Sequence, residues 1–185
     1  YETEKIIPAT VEFVDIAGLV AGASQGEGLG NQFLSHIRAT SAICHVVRAF
    51  EEPDVARTGS TKPKNDIEII NTELVLADLQ TIDKRLPVLE KETRADPKLK
   101  PVYANLQAVK KLLDSNKPLY GVENIDLELL SDLFLITAKP VIYVFNVDEK
   151  ALADKDKKTQ LTDMVAPAQA VFICAKLESE LRSLD

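Results

Sequence analysis

The order of β-prone and helical segments predicts an α/β fold, a mostly parallel sheet carrying a long helical insertion. Three observations lead there. Apolar, β-branched runs recur at 10–15, 42–50, 140–146 and 170–174, with helix-patterned stretches between them. The run at 140–146, PVIYVFN, is almost unbroken in apolar character, the pattern of a strand covered on both faces of a parallel sheet. Between the second and third runs lies a segment of helical periodicity far longer than a connection requires.

The first run, TVEFVD, ends on Asp15 and is followed by Ala17-Gly18, so a predicted strand opens at its carboxyl end onto an acid and a glycine. Five of the seven glycines then fall at 18, 22, 26, 28 and 30, a loop with wide backbone freedom and few side chains to pack. Asn31 starts a helical pattern with Phe33, Leu34 and Ile37 on one face. A second strand is predicted over 42–50 and a polar loop over 53–65. From Asp66 onward, Ile67, Ile70, Leu74, Ala77 and Leu79 form a helix-spaced stripe that Ile82, Leu86 and Leu89 continue, with a kink predicted at Pro87. The segment ADPKLKP at 95–101 interrupts the pattern, and 102–113 resumes it with Leu106, Val109, Leu112 and Leu113. Two amphipathic stretches about a proline-containing break predict an antiparallel helical hairpin. After the strand at 140–146 come a lysine-rich stretch, a strand at 170–174 and a helical tail from Leu177. The expected organisation is residues 1–65 and 137–185 as two parts of one α/β domain, with the hairpin inserted over 66–136.

The chain has 185 residues, with 22 basic and 29 acidic side chains and a net charge of −7. That balance argues against binding nucleic acid over the whole surface, and DNA is not an expected partner. The charge is uneven, however: residues 80–118 hold nine Lys/Arg against five Asp/Glu, so this stretch is +4 and the remainder −11. Cys44 and Cys174 form no CxxC pair, and the histidines are His36 and His45 alone. A disulfide framework, a zinc site and a histidine-rich metal centre are all excluded on those counts. No apolar run reaches the ~18 residues of a membrane-spanning helix, and no signal-peptide pattern opens the sequence. The expected setting is the reducing cytoplasm, with no membrane partner. His36 and His45 fall in a predicted helix and strand and read as structural. Cys44 reads as a core residue, and Cys174 as an accessible one.

Three short motifs carry chemistry. Asp15-Ile16-Ala17-Gly18 has the form D-x-x-G at a strand end; in nucleotide-hydrolysing P-loop folds such an acid holds Mg²⁺, often through water, and the glycine N–H meets the γ-phosphate. Standing alone, the motif is weak, and a structural turn is the favoured reading. Asn146-Val147-Asp148-Glu149 follows the apolar strand where guanine-specific relatives of that fold place N-K-x-D. Here Val147 takes the Lys position and Glu149 the Asp position. A carboxylate only accepts hydrogen bonds, whereas adenine's pairing edge offers a donor and an acceptor. The change therefore weakens a guanine reading without demonstrating an adenine one, and Asn146 alone reads equally as a satisfied strand-end residue. Cys174-Ala175-Lys176, after the last strand, stands where a small residue with a free N–H borders the base pocket. All three fall at the ends of predicted strands and in the right order.

With these motifs in place, the stretch VEFVDIAGLVAGASQGEGLGNQFL resembles the signature of the YchF family, the Obg-like ATPases, and INTELVLADL, KPVIYVFNVDE and CAKLESEL match the family in order. The resemblance covers almost the whole chain. It implies a P-loop nucleotide-binding domain interrupted by a coiled-coil-like hairpin, ATP with Mg²⁺ in preference to GTP, hydrolysis as a molecular switch, and association with the ribosome. Position by position, it implies that Asp15 and Gly18 sense the γ-phosphate, Asp15 as the Mg²⁺ ligand, with residues 19–30 as the mobile switch. It implies that Asn146, Val147 and Glu149 recognise the base, Val147 lying against adenine, and that Cys174, Ala175 and Lys176 form the last loop of the base pocket. Leu19 stands where Ras-like GTPases keep a water-orienting Gln, so intrinsic hydrolysis is expected to be slow. Arg57 stands in a loop where family members often carry a histidine; it stays protonated and cannot act as a general base. No G-x-x-x-x-G-K-[ST] run occurs in the chain. The resemblance places that loop before residue 1 and a TGS domain after residue 185, as expected of the middle half of a family member. For Lys84, Arg85, Lys91, Arg94, Lys98, Lys100, Lys110 and Lys111 two readings stay open, a ribosomal-RNA contact and a solvated helix surface. The alternative function is accordingly a non-catalytic module whose basic hairpin docks on the ribosome.

Overall fold

A computed structural model describes residues 9–16, 29–50 and 62–183, with the backbone alone at 29–32. Three parallel strands form the sheet in the order β1 (Ile43–Arg48), β2 (Val141–Asn146), β3 (Gln169–Ile173). Helix α1 (Leu29–Ala39) precedes β1. Helices α2 (Pro63–Ala95) and α3 (Lys100–Asp114) lie between β1 and β2; α4 (Glu149–Ala153) and α5 (Lys155–Val165) lead to β3, and α6 (Ala175–Arg182) follows it.

The register places Val46, Val144 and Val171 in one row and Arg48, Asn146 and, through β2, Ile173 in another at the carboxyl end. Alternation along each strand then separates two faces. On one face Val47, Tyr143, Phe145 and the following Val147 pack against Ile67 of α2 and Leu161 and Val165 of α5. The other face leaves Val46, Ile142 and Val171 among the exposed large apolar residues. The covered-on-both-faces expectation for β2 is thus met on one face among the described residues, while Ile142 on the second stays exposed. Cys44 belongs to this open face and is exposed rather than in the core, whereas Cys174, one residue past β3, turns inward and is buried. Both cysteine expectations are reversed by the same alternation.

The predicted strand at 10–15 is the other difference. Residues 9–16 carry no strand, and Val11, Phe13 and Val14 are exposed. A β-prone sequence gains nothing from an extended backbone until a neighbour completes the ladder, and no described strand lies beside it. Ile16 alone is tied down, packed against the cluster of Leu34, Ile37, Leu74, Ala77 and Ile136.

The helical hairpin is present. Helix α2 runs unbroken through Pro87, starting with Pro63 in its first turn, where a missing N–H costs nothing. A single 3-10 turn, Pro97–Leu99, reverses the chain, with the Asp96 side chain accepting from the Lys98 N–H at its start. The pairing of Asp83 with Lys110 and of Thr72 with Asn116 shows that α2 and α3 run antiparallel. Ile82, Leu89, Leu106, Val109 and Leu113 fill the seam, each at most 1% exposed. From Ser115 to Lys139 the chain returns to the sheet through turns and two 3-10 segments, Glu128–Leu133 and Ile136–Ala138.

Candidate functional site

Ligands of parallel α/β sheets gather beyond the carboxyl ends of the strands, and three of those ends meet here. The Asn146 carbonyl accepts from the Ala49 N–H after β1 at 2.8 Å, and the Val147 N–H donates to Ile173 of β3 at 2.8 Å. The Asn146 side chain reaches across: its Oδ1 accepts from the Ala175 N–H at 3.1 Å. The two separate motifs at 146–149 and 174–176 are therefore one structure, joined by a side chain that holds the loop after β3 against the end of β2.

Within it the residues divide by depth. Glu149, Ala175 and Lys176 are exposed and Asn146 is half-buried. Val147 and Cys174, 2% and 4% exposed, lie in the packed layer beneath. Val147 belongs to the same buried cluster as Phe145 and Leu161. Two neighbouring carboxylates have different tasks. Asp148 is the N-cap of α4, accepting from the Ala151 N–H at 2.7 Å. Glu149, in the first turn, is exposed to solvent and takes no part in the cap. The N-K-x-D spacing does not reveal this cap, although Asp immediately before a helical start is its usual signal.

Arg48 was likewise missed. It ends β1 in register with Asn146, with its guanidinium 4.5 Å from the centre of the Phe50 ring and a buried Nε that has no hydrogen-bond partner. Asp15 is exposed on the segment anchored by Ile16. Gly18, Leu19, most of the 19–30 loop and Arg57 lie outside the described residues. Among the described residues no cluster of three or more metal-ligating side chains occurs. A lone exposed carboxylate suits Mg²⁺, which keeps several of its waters and takes one or two protein carboxylates. His36 is exposed on α1. His45 packs its ring 5.1 Å from that of Tyr143, and burial pulls its pKa down to about 4 against the opposing pull of Asp66.

A second polar centre lies at the root of the hairpin, where sequence reading saw only an apolar stripe. Asp78 of α2 is fully buried and accepts from the Ile136 N–H at 2.9 Å and from the Thr137 N–H and Oγ1 at 2.8 Å each. Arg38, in the last turn of α1, approaches the same carboxylate at 3.4 Å. Its guanidinium also donates to the Phe134 carbonyl, the Ala77 carbonyl and Thr81 Oγ1, each at 3.0 Å. Lys139 donates to the carbonyls of Arg38 and Thr40 at the end of α1. An acid inside an apolar helical stripe, at the residue after Ala77, was the available signal.

Comparison with known proteins agrees with this geometry. A family model described as "50S ribosome-binding GTPase" matches residues 2–83. A "Ribosome-binding ATPase YchF" of Bacillus subtilis is 41% identical over 191 residues, covering 98% of this chain and 52% of that protein. Its namesake in Haemophilus influenzae is 39% identical over 188 residues, again covering 98% and 52%. The chain therefore spans about half the length of these relatives. The solved structure of the Schizosaccharomyces pombe YchF GTPase superposes with a TM-score of 0.69 at 34% identity, over 91% of this chain and 49% of that one. No helix among the described residues is long and apolar enough to cross a membrane. With its parallel sheet, its inserted hairpin and its strand-end motifs in family order, the chain belongs to the YchF family, with the α/β fold of P-loop nucleoside triphosphatases.

Proposed function

We propose that residues 1–65 and 137–185 are parts of one nucleotide-binding domain that takes ATP in preference to GTP and hydrolyses it as a switch, with the 66–136 hairpin as its insertion. The observation that carries this reading is the Asn146–Ala175 hydrogen bond, which joins the two motifs assigned to the base side. Bound MgATP would supply the phosphoanhydride and the metal's charge. The chain's own part is to hold and orient. Asn146 fixes the loop after β3, the exposed Glu149 accepts from the base's amino group, and Lys176 covers the same rim. Asp15 would hold Mg²⁺ through one of the ion's waters, and Gly18 would offer its N–H to the γ-phosphate. The relatives' printed names divide between ATPase and GTPase, so a direct ATP-against-GTP titration decides the base preference.

A second reading concerns partners, in the cytoplasm and on the ribosome. Of the eight basic residues singled out on the hairpin, Arg85 pairs with Glu92, Arg94 with Glu90, and Lys110 with Asp83 and Asp114. Lys84, Lys91, Lys98, Lys100 and Lys111 are exposed and have no ion pair among the described residues. Unpaired lysines on a helical arm suit contact with a phosphate backbone such as ribosomal RNA. Reversing these five to Glu is expected to abolish ribosome co-sedimentation while ATP affinity stays unchanged. Undiminished co-sedimentation would remove the hairpin from the docking surface.

A further inference from the structure

We propose that the Arg38–Asp78 junction is the mechanical link through which the segment around 17–28 sets the position of the helical hairpin. The inference rests on the switch reading above and adds to it a route and a direction.

Both flanks of that segment are fixed to one place. Ile16, just before it, and Phe33, Leu34 and Ile37 of α1, just after it, all pack on the cluster shared with Ile70, Leu74 and Ala77 of α2 and with Ile136. Apolar contact alone would let α1 slide on α2, since such packing is non-directional. The junction removes that freedom. The Arg38 side chain, carried by α1, contacts two further elements at once: α2 through Ala77, Asp78 and Thr81, and the returning limb of the hairpin through Phe134. Asp78 clamps the same returning limb from the other side through Ile136 and Thr137. Lys139 then pins the last carbonyls of α1 to the residue that leads into β2.

The outgoing helix, the returning limb and the helix after the loop therefore share one set of directional bonds. A planar guanidinium with several fixed donors holds an orientation that a single ammonium cannot. Displacing α1 must either carry the root of α2 with it or break bonds to a buried carboxylate. Because α2 runs unbroken from Asp78 to Ala95, about 26 Å at 1.5 Å per residue, a small rotation at Asp78 becomes a larger displacement at the Pro97–Leu99 tip. Arg38 is thus a positioning residue, remote from the strand-end pocket and acting through α1.

The test uses the longest natural polypeptide that contains residues 1–185 and follows amide hydrogen exchange with and without ATP. In the wild type, ATP is expected to slow exchange in 17–28 and to change it in 91–104. In Arg38→Met the response of 17–28 and the ATP affinity are expected to persist, and the response of 91–104 to be lost. Arg38→Lys keeps a charge near Asp78 but cannot reach all four partners, so it is expected to show a reduced hairpin response and serves if the Met variant fails to fold. A hairpin response that survives in both variants overturns the link. So does a wild type whose loop responds while its hairpin does not, an outcome that leaves the switch reading standing. If neither region of the wild type responds, the switch reading fails and the link falls with it.

Discussion

Replacing Asp78 by alanine is expected to lower folding stability by about 3–5 kcal/mol, the usual cost of removing one partner from a buried charged network. The Asp78 side chain is wholly inaccessible, and its loss strands the Ile136 and Thr137 amide donors, the Thr137 hydroxyl and one arm of Arg38. Each buried group left unpaired costs roughly 1–3 kcal/mol, so the estimate does not need all four to fail together. Asp78→Asn keeps the shape and an acceptor and is expected to lose less. Denaturant unfolding of the three proteins measures this, and an alanine variant within about 1 kcal/mol of wild type would mean that the network is ornamental. Burial raises the pKa of this carboxyl, outweighing the donors of Thr137 and Ile136 and the Arg38 charge. For an acid so shifted, the proton-linked stability is present below its ordinary value and is lost as pH rises through the raised one. Asp78 therefore does not make the fold sensitive to acid.

His45 does. Its pKa falls from 6.5 to about 4, because burial between β1 and α2 disfavours the imidazolium, with Asp66 opposing. The unfolded chain binds a proton that the folded chain refuses between those values, so stability rises with pH across that window. The contribution is fully present above about pH 6.5 and is lost as pH falls toward 4, amounting to about 3 kcal/mol. Replacing His45 with a neutral glutamine is expected to flatten the stability profile between pH 6.5 and 4. A profile of unchanged slope would show that the imidazole is freely protonated in the folded state.

These two residues show where sequence patterns reach and where they stop. Strands β1, β2 and β3 and both arms of the hairpin were legible because periodicity reports which side of an element is buried. The strand-end motifs were legible because their spacing reports strand ends. What periodicity cannot report is which neighbour covers a face: Cys44 and Cys174 were read inside out, and the run at 10–15 has the composition of a strand without a described partner. Nor could it separate Asp148 from Glu149, since only backbone geometry shows that the first is consumed as a helix cap. Arg38 and Asp78 stand 40 residues apart in sequence, and no local pattern joins residues brought together by the packing of two helices. The eight basic residues looked alike until ion pairing sorted them into three held and five unpaired.

The central claim, that the joined strand-end motifs form a base pocket favouring adenine, is tested most directly by titrating ATP and GTP. The material is the longest natural polypeptide that contains residues 1–185, with Asn146→Ala measured beside it. The account predicts that ATP binds at least about tenfold more tightly than GTP, a difference of about 1.4 kcal/mol. It also predicts that both affinities weaken when the Asn146 side chain no longer holds the Ala175 amide. Equal affinities, or a preference for GTP, would contradict the adenine reading, and an Asn146→Ala variant that binds like the wild type would show that the pocket lies elsewhere.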